Sequence, residues 1–209
     1  MQCSRVITCA CSVYVMQVIF SDESHFEVQG QRSQFVRRSI GEPIRPGHVE
    51  QHVKHPEKKM FWGCFSIEGP GTLKPVTGMM NAVAYIEVLE RKLIPELADK
   101  FPNGDGVFQQ DLAPCHTAKK VAKFMTDNNI KTLPWPGNSP DLNPIENLWA
   151  LIKKRLRRHD CTTKPKMIEA VIQIWFHDEE IKAMCRNLVL SMPTRIQSVI
   201  AAKGGHIKY

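Results

Sequence analysis

Apolar residues run almost unbroken from Val6 to Phe20, "VITCACSVYVMQVIF", and the first acid, Asp22, comes one residue later, after Ser21. This uncharged run of 15 residues falls short of the roughly 20 that a helix needs to cross a bilayer. Its β-branched and aromatic end, "VYVMQVIF", predicts a buried strand over 13–20. Arg5 gives the run the outline of a signal peptide, but no small-x-small cleavage site follows, so no membrane segment is expected. Residues 1–12 stay unassigned. The alternation in "HFEVQG" and "SQFVRRSI" predicts two further strands joined by a Gly-Gln turn, and "GEPIRPGHVEQHVKHPEKK" reads as a loop. With the strand-like "MFWGCFSIEGPGTLKPV" and its Gly-Pro-Gly turn, the first half is predicted to be an antiparallel meander.

Beyond residue 80 the period lengthens. Asn81 can cap a helix "AVAYIEVLERKLIPELADK" whose apolar positions 83, 86, 89, 93 and 97 fall at helical spacing. "GVFQQD" is a short strand ending in an acid, Thr117 begins a helix "AKKVAKFMTDNN", and "IKTLPW" is another short strand. Two helices close the chain, around 165–177 and 178–201. No internal repeat or low-complexity stretch interrupts this order, which predicts one α/β layered domain over 13–209.

Composition agrees with one domain, since 209 residues at 43% hydrophobic content suffice for a single good core. The net charge of +7 favours a polyanionic partner. Seven scattered cysteines form no disulfide framework, and Cys3, Cys9 and Cys11 lack the CxxC or HxxxH partners of a zinc site. An intracellular, reduced chain is expected.

The stretch 139–158, "SPDLNPIENLWALIKKRLRR", carries one acid inside the helix it starts. Ser139 or Asp141 can cap that helix, and Pro140 or Pro144 fits its first turn. Ile145, Leu148, Ile152 and Leu156 then share one face, while Glu146 lies opposite, with Ala150, Lys153 and Arg157 above it. Alone, this is a solvated helix face of mixed charge. Two other acids change the picture: Asp22 follows the apolar "QVIFS" and Asp111 follows "VFQQ", each at a predicted strand end. Carboxylates at neighbouring strand ends, joined by a third from a helix, can converge on hard divalent cations that favour oxygen ligands. Two such ions suit phosphoryl transfer at a phosphodiester without a covalent enzyme intermediate. Each acid also has an ordinary reading, as a turn former or a surface residue.

Four segments together resemble a known family: "VIFSDESHF" (18–26), "MFWGCFS" (60–66), "FQQDLAPCHTAKKV" (108–121) and "LPWPGNSPDLNPIENLWALIKKRLR" (133–157) look like the catalytic domain of Tc-one/mariner-type DDE transposases. The resemblance runs from about residue 18 to the C-terminal "AAKGGHIKY". The 34 residues between Asp111 and Glu146, and a Glu as third acid, are typical of the Tc-one branch. It implies an RNase H-like fold, a mixed central sheet flanked by helices, with Asp22 on the first strand, Asp111 on the fourth and Glu146 on a later helix. It further implies that Asp22, Asp111 and Glu146 are the catalytic triad holding two Mg²⁺ or Mn²⁺ ions, and that the chain cleaves DNA and transfers strands to a TA target. Double-stranded DNA (transposon ends and target), a homodimer and a nuclear location follow from the same resemblance.

Departures from the family pattern define the alternatives. Relatives carry a helix-turn-helix module of about a hundred residues before the first acid, and only 21 residues precede Asp22, so that module is expected to be absent. Leu112 stands where the family has Asn, which removes an amide beside the second acid. An inactive or domesticated remnant that binds DNA is therefore one alternative, and another RNase H-like nuclease is a second. For DNA contacts the candidates are Lys153, Lys154, Arg155, Arg157 and Arg158, with His116 as a residue that could reach a phosphate or hydrogen-bond an acid. Lys119, Lys120 and Lys123 are secondary candidates. Asp141 reads as a cap or Asx-turn former, and Trp62, Trp135 and Trp149 read as packing residues rather than base-stacking platforms.

Overall fold

The computed structural model describes residues 14–28, 56–136, 139, 142–203 and 205. The strand expected over 33–40, residues 41–55 of the loop after it, the N-terminal 12 residues and Asp141 all lie outside the described residues, while Lys58 and Lys59, expected at the end of that loop, already belong to a strand.

Four strands form one sheet: β1 (Val18–Glu27), β2 (Lys58–Ser66), β3 (Gly69–Pro75) and β4 (Val107–Gln109), in the order β3-β2-β1-β4. The first three described strands pair antiparallel, as expected of the first half, though the strand over 33–40 that belonged to that expectation lies outside the described residues. The fourth runs parallel to β1, with Phe20 opposite Gln109, so the sheet is mixed. Beside β4, a single parallel bridge from Phe108 to Thr132 is all that forms of the strand expected in "IKTLPW".

The first strand corrects the sequence reading. Residues Tyr14–Gln17 form a 3₁₀ turn, and β1 continues through "SDESHFE" to Glu27, so Asp22 sits within the strand and not at its end. What read as two strands, one apolar and one alternating, is a single strand whose first half is buried on both faces. Asp111, by contrast, lies two residues beyond the end of β4 rather than on it.

The period-two alternation of the strands explains the layers. Val18, Phe20, Phe61, Phe65 and Val107 join one core, and their immediate neighbours Ile19, Trp62, Cys64 and Phe108 join another on the opposite face. The second core is closed by α1 (Ala82–Val88), α2 (Ile94–Lys100) and α3 (Lys119–Asp127). Asn81 caps α1 as expected, its side chain accepting from the backbone of Val83 and Ala84, and a π turn at Leu89–Leu93 joins α1 to α2. The first core is closed by α4 (Ile145–Leu156), α5 (Lys164–His177) and α6 (Glu179–Ala201). Helices on both faces of a mixed sheet are the α/β architecture the element order predicted. No helix among the described residues is long and apolar enough to cross a membrane.

The start of α4 differs from expectation. Its N-cap is Pro144, with no side-chain cap, so Ser139 does not cap it. The apolar face is as read: Ile145, Leu148, Ile152 and Leu156 are buried, and Trp149 joins them. Glu146, Ala150, Lys153 and Arg157 face solvent.

Candidate functional site

The ladder between β1 and β4 brings the first two acids together. Ser21, buried beside Asp22, donates its hydroxyl to the Gln109 carbonyl at 2.9 Å, and its N–H to the Gln109 side-chain oxygen at 3.2 Å. The carbonyl of Ser21 in turn accepts from the buried Asn143 amide at 3.2 Å. Asn143 lies just ahead of α4, so one residue of β1 ties down both the β4 end that leads to Asp111 and the loop that leads to Glu146.

As a result Asp22, Asp111 and Glu146 line one cleft of about 360 Å³, together with Leu112, Ala113, Pro114, Trp135, Pro136, Ser139 and Asn143. The three acids come from a strand, a post-strand loop and the first turn of a helix. Glu146 is exposed, near the positive end of the α4 dipole. Among the described residues no three His, Cys, Asp or Glu side chains are gathered closely enough to form a ready-made metal cage. The acids share a wall rather than a closed ligand set.

Each Asp has one oxygen held by the protein. Trp149 Nε1–H donates to Asp22 Oδ2 at 3.2 Å. Burial, followed by the charges of Glu146 and Glu23, pushes the Asp22 carboxyl up to about 8. Asp111 Oδ1 accepts from the Ala113 N–H at 2.9 Å and from His116 Nδ1–H at 2.5 Å. The His116 bond holds the Asp111 carboxyl below the usual carboxylate range, with the Ala113 N–H helping against partial burial. Burial works against a charged His116 ring, but its bonds to Asp111 and Glu23 overcome this and hold it up at about 10. With carboxylate acceptors at both nitrogens, Nδ1 and Nε2 both carry hydrogen, and the ring is an imidazolium.

Two of the expected DNA-facing residues are placed otherwise. His116 is 4% exposed and sits behind Asp111, with its ring stacked on Tyr85. Of its two sequence readings, the hydrogen bond to an acid holds, and burial keeps the ring from a phosphate. Arg155 turns toward the start of α6: its Nε lies 3.3 Å from Asp178 Oδ2, an ion pair without hydrogen-bond alignment, and its Nη2 pairs with Glu180. Lys153, Lys154, Arg157 and Arg158 are exposed, and Lys153 Nζ stands 5.6 Å from the centroid of the Phe26 ring.

Trp62 and Trp149 are fully buried, as read, whereas Trp135 packs edge-on to Phe20 and forms part of the cleft wall. Sequence reasoning missed Glu23, Asn143 and the indole of Trp149. Glu23 had one signal, its place next to Asp22, and its partner His116 lies 93 positions away.

Known proteins resemble the chain in both sequence and fold. The family model for the DDE superfamily endonuclease matches residues 17–168. The chain is 35% identical over 193 residues to the transposable element Tcb1 transposase of Caenorhabditis briggsae, covering 91% of this chain and 70% of that protein. Against the transposable element Tc1 transposase of Caenorhabditis elegans it is 33% identical over the same shares. Its fold is similar to the crystallised catalytic domain of Mos1 mariner transposase, with a TM-score of 0.76 at 18% identity over 99% of this chain and 94% of that one. It is similar also to Mos1 transposase in a paired-end complex with the left transposon end, with a TM-score of 0.83 at 18% identity. There the match covers 99% of this chain and 61% of that chain. The shared architecture is the RNase H-like fold. The chain belongs to the DDE superfamily of endonucleases, as a transposase catalytic domain of Tc-one/mariner type.

Proposed function

We propose that this domain performs metal-dependent DNA strand cleavage and strand transfer, with Asp22, Asp111 and Glu146 as the residues that hold the metal. The observation that carries the reading is that these three acids, from three separate elements, line a single cleft. The donor set fits a hard divalent cation: it is all carboxylate oxygen, and Asp22 is pushed up to about 8 by burial and neighbouring negative charge that a cation would neutralise. Crystal structures of Mos1 with Mg and with Mn support Mg²⁺ or Mn²⁺ as the ion. Two ions are part of the proposal.

Bound divalent metal would supply Lewis-acid stabilisation of the attacking and leaving oxygens of the phosphodiester. The chain's own residues prepare the cleft for this. Trp149 holds one oxygen of Asp22 and His116 one oxygen of Asp111, which sets how the two carboxylates meet the cleft. Glu146 approaches from the α4 side on a turn anchored through Asn143. Lys153, Lys154, Arg157 and Arg158 continue along the same helix and past its end, where they would meet the phosphate backbone of double-stranded DNA. We further propose transposon ends and a TA dinucleotide as the DNA partners, a homodimer as the working unit, and the nucleus as the place of action.

The decisive experiment joins a pre-cut DNA end bearing a free 3′-hydroxyl to a TA-rich plasmid in Mn²⁺, comparing the parent with Asp111→Ala and Glu146→Ala. Joining by the parent that both substitutions abolish is the expected result. Salt-sensitive DNA binding by all three proteins with no joining by any would replace this reading with the DNA-binding remnant. Cleavage of RNA in preference to DNA would replace it with a general RNase H-like nuclease.

A further inference from the structure

His116 is built into the domain more firmly than a loop residue needs to be. It lies in the turn between β4 and α3, yet it is 4% exposed. One ring nitrogen, Nδ1, faces Asp111 Oδ1 at 2.5 Å, and the other, Nε2, faces Glu23 Oε1 at 3.2 Å. The face of the ring stacks on Tyr85 of α1 with centroids 3.9 Å apart. Tyr85 cannot swing away freely, because its hydroxyl donates to Gln110 Oε1 at 2.6 Å. Three elements therefore fix the ring: Glu23 from β1, Tyr85 from α1 and the β4 loop itself.

The consequence falls on Asp111, whose side chain is 48% exposed and is held besides only by the backbone N–H of Ala113 among the described hydrogen bonds. Its Oδ1 receives two donors, the Ala113 N–H and His116 Nδ1–H, which leaves Oδ2 as the oxygen to offer to the cleft that Asp111 lines. We infer that His116, anchored by Glu23 and covered by Tyr85, is the positioning residue that presents Asp111 to the cleft through Oδ2. Hydrogen-bond partners behind a metal ligand orient it and tune its affinity, and their loss weakens metal binding by about ten- to a hundred-fold. This inference rests on the proposal that Asp111 holds metal.

The test compares two substitutions of similar size and polarity. His116→Asn places an amide donor near the position of Nδ1 and keeps the bond to Asp111. His116→Gln places its donor near Nε2, keeping the reach to Glu23 and giving up the bond to Asp111. Mn²⁺ affinity is measured by calorimetry on the full chain, with thermal melting to show that each variant is folded. The expected result is that His116→Asn binds Mn²⁺ close to the parent while His116→Gln binds about ten- to a hundred-fold more weakly. Equal affinities for the two folded variants overturn the inference, because a merely structural histidine has no reason to distinguish them.

If either fails to fold, Tyr85→Leu serves instead, since it removes the ring that covers His116 without changing a charge near the proposed metal ligands. Weaker Mn²⁺ binding then supports positioning, and parental affinity overturns it. Asp111→Ala separates the metal reading from the positioning role. If it binds Mn²⁺ as the parent does, Asp111 is no ligand, and both the metal reading and this inference fall; if it loses Mn²⁺ while the Asn and Gln variants match each other, only the positioning role falls.

Discussion

Gly63 leaves the space that Trp149 occupies: a Cβ at Gly63 would come within 2.6 Å of the Trp149 Cη2 atom. Gly63 also stands directly opposite Asp22 in the β1–β2 ladder, and Trp149 Nε1–H donates to Asp22 Oδ2. The indole has no room to retreat, stacked on Trp175 at 5.1 Å and edge-on to Phe26 at 5.9 Å between centroids. A residue on β2 that contributes no side chain thus determines how a residue on β1 meets the cleft.

Gly63→Ala is therefore expected to destabilise the domain by about 1–3 kcal/mol, the usual cost of overpacking a dense core. Trp149→Phe tests the other half, because it keeps an aromatic ring against Trp175 but deletes the N–H. Its expected cost combines about 0.5–1.5 kcal/mol for one hydrogen bond with that of the space the smaller ring leaves in the core, with a clear fall in Mn²⁺ affinity. Denaturant unfolding measures the first effect and calorimetry the second. An unchanged unfolding midpoint in Gly63→Ala would show that the indole moves aside without cost.

The raised Asp22 carboxyl gives the metal-free domain a distinctive pH dependence. Its folded value of about 8 lies above the ordinary 3.8, so between those values the folded state holds a proton that the unfolded state has released. Stability then falls as pH rises across that window and levels off above it. His116, held up at about 10 from 6.5, acts in the same direction over its own window. Melting temperatures in chelator from pH 5 to 9 should therefore decline, and Asp22→Asn should flatten the decline without abolishing it. Added Mn²⁺ should stabilise most at the alkaline end, where Asp22 gives up its proton most readily. A slope that Asp22→Asn leaves untouched would contradict the assignment.

The sequence made the α4 face legible because buried Ile145, Leu148, Ile152 and Leu156 keep a strict helical period, and Glu146 could be placed opposite them from that period alone. Asp22 was legible as an acid beside an apolar run. The strand around it was not, because its first half is buried on both faces whereas "DESHFE" alternates, and a change of pattern reads as a change of element. Arg155 reads as one more charge in a basic run, since its acidic partners Asp178 and Glu180 belong to a different helix junction. The Glu23–His116 contact spans 93 positions and leaves no local trace at all. Local periodicity reports burial; it carries no information about which buried groups meet.

Arg155 and its neighbours on α4 should separate cleanly in experiment. Arg155 and Asp178 keep 23% and 24% of their side-chain surface, and Asp178 also caps α6. Arg155→Ala should cost about 1 kcal/mol, a modest figure because the group retains water, with little effect on DNA binding. Lys154→Ala and Arg158→Ala should do the reverse, leaving the melting temperature unchanged. Removing one phosphate-binding cation should reduce the salt slope of DNA binding by about 1. Fluorescence anisotropy across a salt series reads this directly, and an Arg155→Ala protein that no longer binds DNA while remaining fully stable would reverse the assignment.

Leu112 offers the most direct test of how well the cleft suits catalysis. It is 54% exposed and lines the cleft immediately after Asp111, where an apolar side chain gains nothing from burial and offers no hydrogen bond. Leu112→Asn should therefore leave stability within about 0.5 kcal/mol of the parent, as exposed substitutions do. It would add an amide able to donate and accept beside the Asp111 carboxylate, and support of that kind behind metal ligands is worth about tenfold at its low end. Mn²⁺-dependent strand transfer should rise by about that factor with an unchanged melting temperature. If joining does not change, then the two donors already on Asp111 Oδ1, Ala113 and His116, supply all the orientation that the carboxylate needs.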